Sequence, residues 1–355
     1  MKKLLKKTIR KIFSSIFSII WKMPIWKIIP PSPHVQILEE KLDYLARTHG
    51  VRNLNEHLAI AHSFMKRKGD YPINYAVPRS WTEKVGYYKL NYYARSSLGI
   101  MLWHKWLAKK WTKHHIGEQY VIPTFGVWDK VEDIDWNTLP KSFVLKSCGG
   151  SFGEQVIVVR DKEMANKKKI LTAMRGYVAQ ECHGFSRKKI IAETLLMTPD
   201  GSLPFQYEFY CGRGKPMMCR INCHSQTETR SQSSKLICYD IHTWQKLPIQ
   251  FKKDSYPDGL VPNNADIEKP KNLDELLRIA AKISSHLPIS RIDLYSMNEK
   301  IYVGEITLRP GVGYSPIVPV EWDFRLGEGV EIIPIQELDR MILRDKEMFS
   351  LDEIN

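Results

Sequence analysis

Two stretches of this chain gather side chains suited to holding phosphate and a hard cation. In the first, Phe143, Val144 and Leu145 lead into Lys146, and Gly149, Gly150, Ser151 and Gly153 follow before the apolar run at 156–159. Glycines let backbone N–H groups approach phosphate oxygens with no Cβ in the way, and the lysine adds a positive charge. No helix opens after this loop. That excludes the P-loop and the dinucleotide-binding turn, both of which need strand, loop and helix in that order. A glycine flap between two antiparallel strands fits the pattern; so does a plain hairpin turn.

In the second stretch Arg291, Asp293 and Tyr295 alternate along one predicted strand, and Glu305, Thr307 and Arg309 alternate along the next. Alternation puts each trio on one face of its strand. A short turn at 297–299 brings the strands together, so Asp293 and Glu305 can converge on one point. Carboxylates with few other anchors suit Mg²⁺, which keeps waters and bridges substrate phosphates. The alternative is a polar strand edge in which Arg291 neutralises Asp293 and Glu305 is solvated.

The elements that must position these groups follow from periodicity. Residues 35–115 read as mostly helical, with stripes at Leu38, Leu42 and Leu45 and at Leu54, Leu58 and Ala61. From Val121 onward the pattern changes to short strands, predicted at 142–146, 155–160, 190–193, 205–211, 217–222, 236–239, 290–295 and 300–308. A polar, proline-rich surface loop is expected over 252–270. Helices are predicted at 273–287, with Asp274 and Glu275 in the first turn, and at 335–348. No internal repeat occurs, and the fold class is α+β.

The chain has 355 residues, is 43% hydrophobic and 26% charged, and carries a formal charge of +14. That suffices for two or three packed subdomains. Lys2, Lys3, Lys6, Lys7, Arg10, Lys11, Lys22 and Lys27 place eight of those charges in residues 1–29, which hold no acid. Basicity concentrated in a leader argues against nucleic-acid binding. Leu5, Ile9, Ile12, Phe13, Ile16, Phe17 and Ile20 form one face of a helix there, followed by Trp21 and Trp26 and then by Pro30, Pro31 and Pro33. The apolar run is too short to span a bilayer, and no cleavage-site pattern follows it. The expected partner is an anionic membrane surface; a helix docked on the protein's own body, or a disordered leader, fits the same pattern. The six cysteines show no C-x-x-C spacing, and read as small buried apolar groups in a reducing compartment. A metal cluster of Cys219 and Cys223 with His183 and His224 is the minor alternative.

Taken in order and spacing, these stretches resemble the ATP-grasp superfamily, and within it the TupA-like branch linked to bacterial surface polysaccharides. The resemblance runs from about Lys84 to Gly313. It is carried by Lys105 before Glu118-Gln-Tyr-Val-Ile-Pro123, the 143–153 loop, Ile190-Ile-Ala-Glu193, Arg291-Ile-Asp-Leu-Tyr295 and Gly304-Glu-Ile-Thr307. It implies an ATP-grasp fold, two α+β subdomains gripping ATP, over residues 116–355. The glycine-loop subdomain would lie at about 140–195, the metal-site subdomain at about 196–320 and the C-terminal helix at about 335–348. A helical region at 30–115 and the amphipathic helix at 1–29 would precede it.

By the same resemblance Lys105 and Lys146 would contact ATP phosphates under the Gly149, Gly150, Ser151 and Gly153 flap. Glu193, with the backbone of Thr194 and Leu195, would read adenine. Asp293, Glu305 and Thr307 would hold Mg²⁺. Arg291 and Arg309 would steady the γ-phosphate or an acylphosphate, and Gly311 the acceptor's carboxylate. The implied activity is an ATP-dependent carboxylate–amine ligase making capsule, O-antigen or teichuronic-type polymers through an acylphosphate. Its substrates would be a polysaccharide or lipid-linked glycan acceptor and an amino-acid-like molecule, met in the cytoplasm at the inner membrane face. The chain departs from the branch's pattern at His104, where an acid is usual, and at Gln206-Tyr207-Glu208, where Asp-Tyr-Lys is expected; Cys148 in the loop is also unusual. Three rivals remain: a sugar or glycan kinase, a glycosyltransferase using Asp133-Ile-Asp135, and an ATP-grasp scaffold without turnover. Tyr87, Tyr88, Tyr92, Tyr93, Trp103, Trp106 and Trp111 could stack on sugars or fill a helical core.

Overall fold

In the computed structural model the described residues are 71, 73–75, 77–149, 155–179, 189–223, 235–251, 266–313 and 315–349. The leader helix, the stripes before residue 71, Gly150, Ser151, Gly153, His183, His224 and most of the 252–270 loop lie outside them. Helix α1 (Trp81–Tyr88) starts at Ser80, whose hydroxyl accepts from Glu83 N while the Glu83 carboxylate accepts from Ser80 N. This reciprocal cap satisfies two amides that the first helical turn leaves unpaired. A π-turn at Lys89–Tyr93 leads to α2 (Ser97–Trp103) and α3 (Lys105–His115).

These helices share one apolar core with the larger sheet, where Trp81, Tyr88, Tyr92, Tyr93 and Trp111 lie buried among Phe209, Met218 and Ile292. The phenols are committed as well: Tyr87 donates to Ile333 O at 2.8 Å, Tyr88 to Glu331 O at 2.6 Å and Tyr92 to Asp345 at 2.7 Å. Buried rings with satisfied hydroxyls are core, so these tyrosines and Trp111 offer no sugar-stacking platform. Trp103 and Trp106 remain half-buried.

The smaller sheet has four antiparallel strands in the order β1 (Thr124–Trp128), β4 (Ile190–Glu193), β2 (Phe143–Ser147) and β3 (Val156–Val159). Helix α4 (Lys167–Ala179), for which the sequence reading had no counterpart, packs Met174 into the core beneath it. The larger sheet has six strands, in the order β11 (Lys300–Thr307), β10 (Ile289–Met297), β5 (Gln206–Gly212), β6 (Lys215–Cys223), β7 (Lys235–Asp240) and β8 (Lys246–Leu247). Helix α5 (Leu273–Ser284) covers it with Leu276, Ile279, Ala280 and Ile283, the three-and-four spacing of an amphipathic helix. A small pair, β9 (Gln250–Phe251) with β12 (Ile317–Val318), precedes α6 (Val320–Glu328) and α7 (Ile335–Met348). Short pairs and α6 escape a sequence reading because they are held by neighbours rather than by a pattern of their own.

The junction of α6 with α1 carries a titratable contact. Asp323 is fully buried and accepts from Thr82 N at 2.9 Å, Thr82 Oγ1 at 3.0 Å and the Tyr71 hydroxyl at 2.8 Å. Burial outweighs these donors and pushes its carboxyl up to about 6. The native state therefore keeps a proton that the unfolded chain has lost. The stability it adds is complete below about pH 4 and is lost as pH rises through about 6. Asp323→Asn is expected to gain on the native protein by on the order of 2–3 kcal/mol across that window. Denaturant unfolding of both proteins from pH 4.5 to 7.5 checks this, and a constant difference would refute it.

Candidate functional site

Lys146 and Glu193 share one face of the smaller sheet, on neighbouring strands β2 and β4. Their side chains form an ion pair, and Lys109 from α3 completes it from the other side, with Nζ 3.0 Å from Glu193 Oε2 and 2.6 Å from Ile122 O. Burial opposes ionisation of Glu193, but Lys146 and then Lys109 outweigh it and hold the carboxyl below its usual range. Lys109 has only a share of that carboxylate to set against its own burial, so its ammonium is pulled down. Two cations thus converge beside the glycine loop, and the second is Lys109, which the sequence reading did not select. Its signal was present: Lys109 lies one helical turn beyond Lys105 on the same face.

Lys105 is placed by its backbone. Its amide donates to Cys148 O at 3.0 Å, which seats the start of α3 against the loop. His104 caps that helix, with Nδ1 accepting from Leu107 N at 3.4 Å, and so fills structurally the place where an acid was expected. Gly149 is buried, and Ser147 closes the base of the loop through Gln155 at 3.0 Å. The Glu193 carboxylate is committed to the lysines, and the Thr194 amide donates to Pro123 O at 3.0 Å. Of the three residues expected to read adenine, Glu193 thus has its carboxylate on the lysines and Thr194 its amide on Pro123, and Leu195 is buried beside them.

On the larger sheet the register brings one polar row across four strands. Arg220 stands opposite Glu208, Glu208 opposite Asp293, and Asp293 opposite Glu305. Three acids side by side would repel. Arg291 relieves this: its Nε and Nη2 each donate to Asp293 at 2.6 Å, its Nη2 reaches Thr307 Oγ1 at 3.1 Å, and its Nε lies 3.7 Å from Glu208. Gln206 adds a donor to Asp293 at 3.3 Å. Asp293 is fully buried; burial first, then the carboxylates of Glu208 and Glu305, push it up to about 7 against the pull of Arg291. Glu208 is equally buried but shared by Arg220 and Arg291, which overcome the burial and hold it low.

Thr307 accepts from Arg291 at 3.1 Å, and its hydroxyl oxygen keeps a second lone pair. Glu305 is exposed. Among the described residues no group of three His, Cys, Asp or Glu forms a metal cage. The pair still suits a hard ion: Glu305 is exposed, three hydrogen bonds leave one Asp293 lone pair, and a cation would relieve the repulsion between the two acids. Arg309 stands apart, with its guanidinium 4.0 Å above the ring of Trp103. Gly311 is exposed in a left-handed turn at φ 64°. Asp133 and Asp135 lie exposed in short turns, and Asp135 caps its turn by accepting from Asn137 N at 3.0 Å. Cys219 is buried and Cys223 half-buried.

A bulge sets the row. Beyond the turn Tyr295 pairs with Tyr302 and Leu294 with Val303, but Asp293 pairs with Glu305, skipping Gly304. A Cβ on Gly304 would lie 2.6 Å from the Tyr295 ring and 3.3 Å from Asp293 O. Gly304→Ala is expected to disturb this bulge and destabilise the protein by about 1–3 kcal/mol. Denaturant unfolding measures the loss; unchanged stability would show that the ladder tolerates a side chain there.

One backbone bridge links the elements that carry the two polar clusters. Val121 bridges Val303, two residues from Glu305 on β11, and Ile122 takes the Lys109 bond. Two antiparallel sheets, one carrying a lysine–glutamate cluster and the other a row of carboxylates and arginines, fit an ATP-grasp body. Residues 83–331 match the TupA-like ATPgrasp family, and the chain belongs to that family. No curated protein matches. Among solved structures the chain is similar to D-alanine–D-alanine ligase from Helicobacter pylori, at 14% identity over 66% of this chain and 62% of that one, TM-score 0.37. It is also similar to the Bacillus anthracis D-alanine–D-alanine ligase complexed with ATP, at 16% identity over 71% and 66%, TM-score 0.37. A third is the L-amino acid ligase of Bacillus licheniformis, at 15% identity over 70% and 49%, TM-score 0.39. The chain thus spans from about half to about two thirds of the length of these three proteins.

Proposed function

We propose that this protein is an ATP-dependent carboxylate–amine ligase of bacterial surface-polysaccharide assembly, acting through an acylphosphate. The observation that carries this reading is the backbone bridge of Val121 and Val303, with Lys109 and Lys146 on one side and Glu305 and Asp293 on the other. Membership of the TupA-like ATPgrasp family supports the reaction class.

The residues have separable tasks. Lys146, Lys109 and the Gly149 backbone would bind the phosphate chain. Arg291 would hold the transferring phosphoryl group while the substrate carboxylate attacks phosphorus. The bond to ADP then breaks and an acylphosphate forms. An amine attacks its acyl carbon, phosphate leaves with the bonding pair, and the amine gives up a proton. Such transfer needs positioning and charge neutralisation rather than a protein nucleophile. Glu305 and Asp293 would hold Mg²⁺, which supplies further neutralisation of the phosphate oxygens when bound.

The test is to incubate the full chain with Mg·ATP and a panel of amino acids and uronic-acid glycans. ADP release stimulated by a carboxylate supports the ligase. Release stimulated only by hydroxyl sugars points to a kinase, and nucleotide binding without release points to a scaffold. The basic leader extends the proposal to an anionic membrane surface, where lipid-linked acceptors concentrate. Among the described residues no helix is long and apolar enough to cross a membrane. Co-sedimentation of the full chain with anionic vesicles, lost by a chain starting near Ser32, is the expected result; equal binding by both removes the surface role.

A further inference from the structure

The acid at position 208 breaks the pattern expected of this strand, and the structure shows where its charge goes. Glu208 is 1% exposed and sits between two guanidiniums. Arg220 Nε donates to Oε2, the same oxygen lies 3.7 Å from Arg291 Nε, and Asn222 donates to Oε1 at 3.3 Å. Arg220 is itself fixed over Phe251, 4.5 Å from the ring centroid, and over Tyr210 at 5.3 Å. We infer that Glu208, held by Arg220 and Asn222, is a positioning residue that keeps the Arg291 guanidinium in place for phosphoryl contact.

The geometry gives the reason. Arg291 rises from a position opposite Tyr210 and Thr307, two pairs along from the acid row, and bends back to lie between Glu208 and Asp293. Its Nε and Nη2 are spent on Asp293 and Thr307. The Nη1 group, with two donors, has no hydrogen-bond partner among the described residues. Without Glu208, Arg220 and Arg291 would face each other as two buried cations with Asp293 alone between them. Arg291 would then turn toward solvent, its Nε–H would leave Asp293, and the direction of Nη1 would be lost.

The inference rests on the proposed nucleotide site for its consequence, so the test has two arms on the full chain. The first reads Arg291 without nucleotide, through its ¹⁵Nε–¹H correlation, assigned by loss in Arg291→Lys. Native protein should show a slowly exchanging Nε–H. Glu208→Gln should lose that protection, and so should the double variant Glu208→Arg with Arg220→Glu. The double variant restores an ion pair between β5 and β6 but places a cation beside Arg291. A purely structural pair predicts that the swap rescues both folding and protection; a positioning role predicts recovered thermal stability with protection still lost. Protection retained in Glu208→Gln, or recovered in the swap, overturns the inference. The second arm compares ATP with ADP binding. Both variants should weaken ATP by about tenfold or more, the value of one charge-assisted contact, with ADP nearly unchanged. Equal losses for the two nucleotides overturn the phosphoryl role. Native protein that binds neither nucleotide refutes the nucleotide site itself, while the first arm still decides the positioning.

Discussion

Glu305→Gln is expected to lower ATP turnover by about 10²–10³ while leaving the unfolding midpoint where it is. The side chain is exposed and has no hydrogen bond or ion pair among the described residues; the task proposed for it is to hold charge beside Asp293. Asp293→Asn should lower turnover at least as far, but here stability falls too. Arg291 donates two hydrogen bonds to that carboxylate in a fully buried place. An amide returns only one acceptor oxygen and no charge. Breaking a buried pair by removing one partner typically costs about 3–5 kcal/mol. Glu208 retains part of Arg291's compensation, which puts the expected loss near the lower end. Steady-state ADP release together with denaturant unfolding separates the two variants. Wild-type turnover in Glu305→Gln would disprove its place at the cation site, and an unshifted unfolding curve for Asp293→Asn would disprove the buried pairing.

The second large effect belongs to Glu193. Replacing it with Gln leaves Lys109 and Lys146, both largely buried, facing each other across a neutral amide. The same reasoning gives a loss of about 3–5 kcal/mol at neutral pH. The sign of its pH dependence is fixed by the depressed carboxyl of Glu193. Its contribution is present above the unfolded value and disappears as acid protonates the folded carboxyl, so native and variant should converge at low pH. Adding Lys109→Met to Glu193→Gln removes one of the stranded cations and should recover part of the loss. If the double variant is less stable than Glu193→Gln, the cluster is not governed by charge pairing.

The departures at 206 and 208 acquire a physical meaning in the fold. Gln206 supplies a neutral donor to Asp293, and Glu208 supplies the anion that two arginines require. A row of three cross-strand acids can persist only because Arg220 and Arg291 interleave with it. The exposed end, Glu305, is left as the carboxylate not neutralised by either arginine.

The local elements around the site were legible in the sequence because they depend on neighbours in the chain. Alternation along 290–295 and the tight turn at Asn298 and Glu299, both at positive φ, are short-range properties. So are the glycine loop between two apolar runs and the three-and-four stripe of α5. From these the two stretches that matter could be chosen, along with the possibility that Arg291 neutralises Asp293. Which face Glu305 occupies was a different matter. Uninterrupted pairing from Met297 and Lys300 would set Asp293 against Gly304 and turn Glu305 to the opposite face of the sheet. The bulge at Gly304 reverses that parity, and a bulge depends on the fit of Tyr295 and the Asp293 carbonyl, not on periodicity. Lys109 and Arg220 are likewise defined by partners 84 and 12 residues away, Glu193 and Glu208, which only packing brings near. Spacing along a chain reports on strands and helices; which charges end up sharing a buried oxygen is settled when the sheets close.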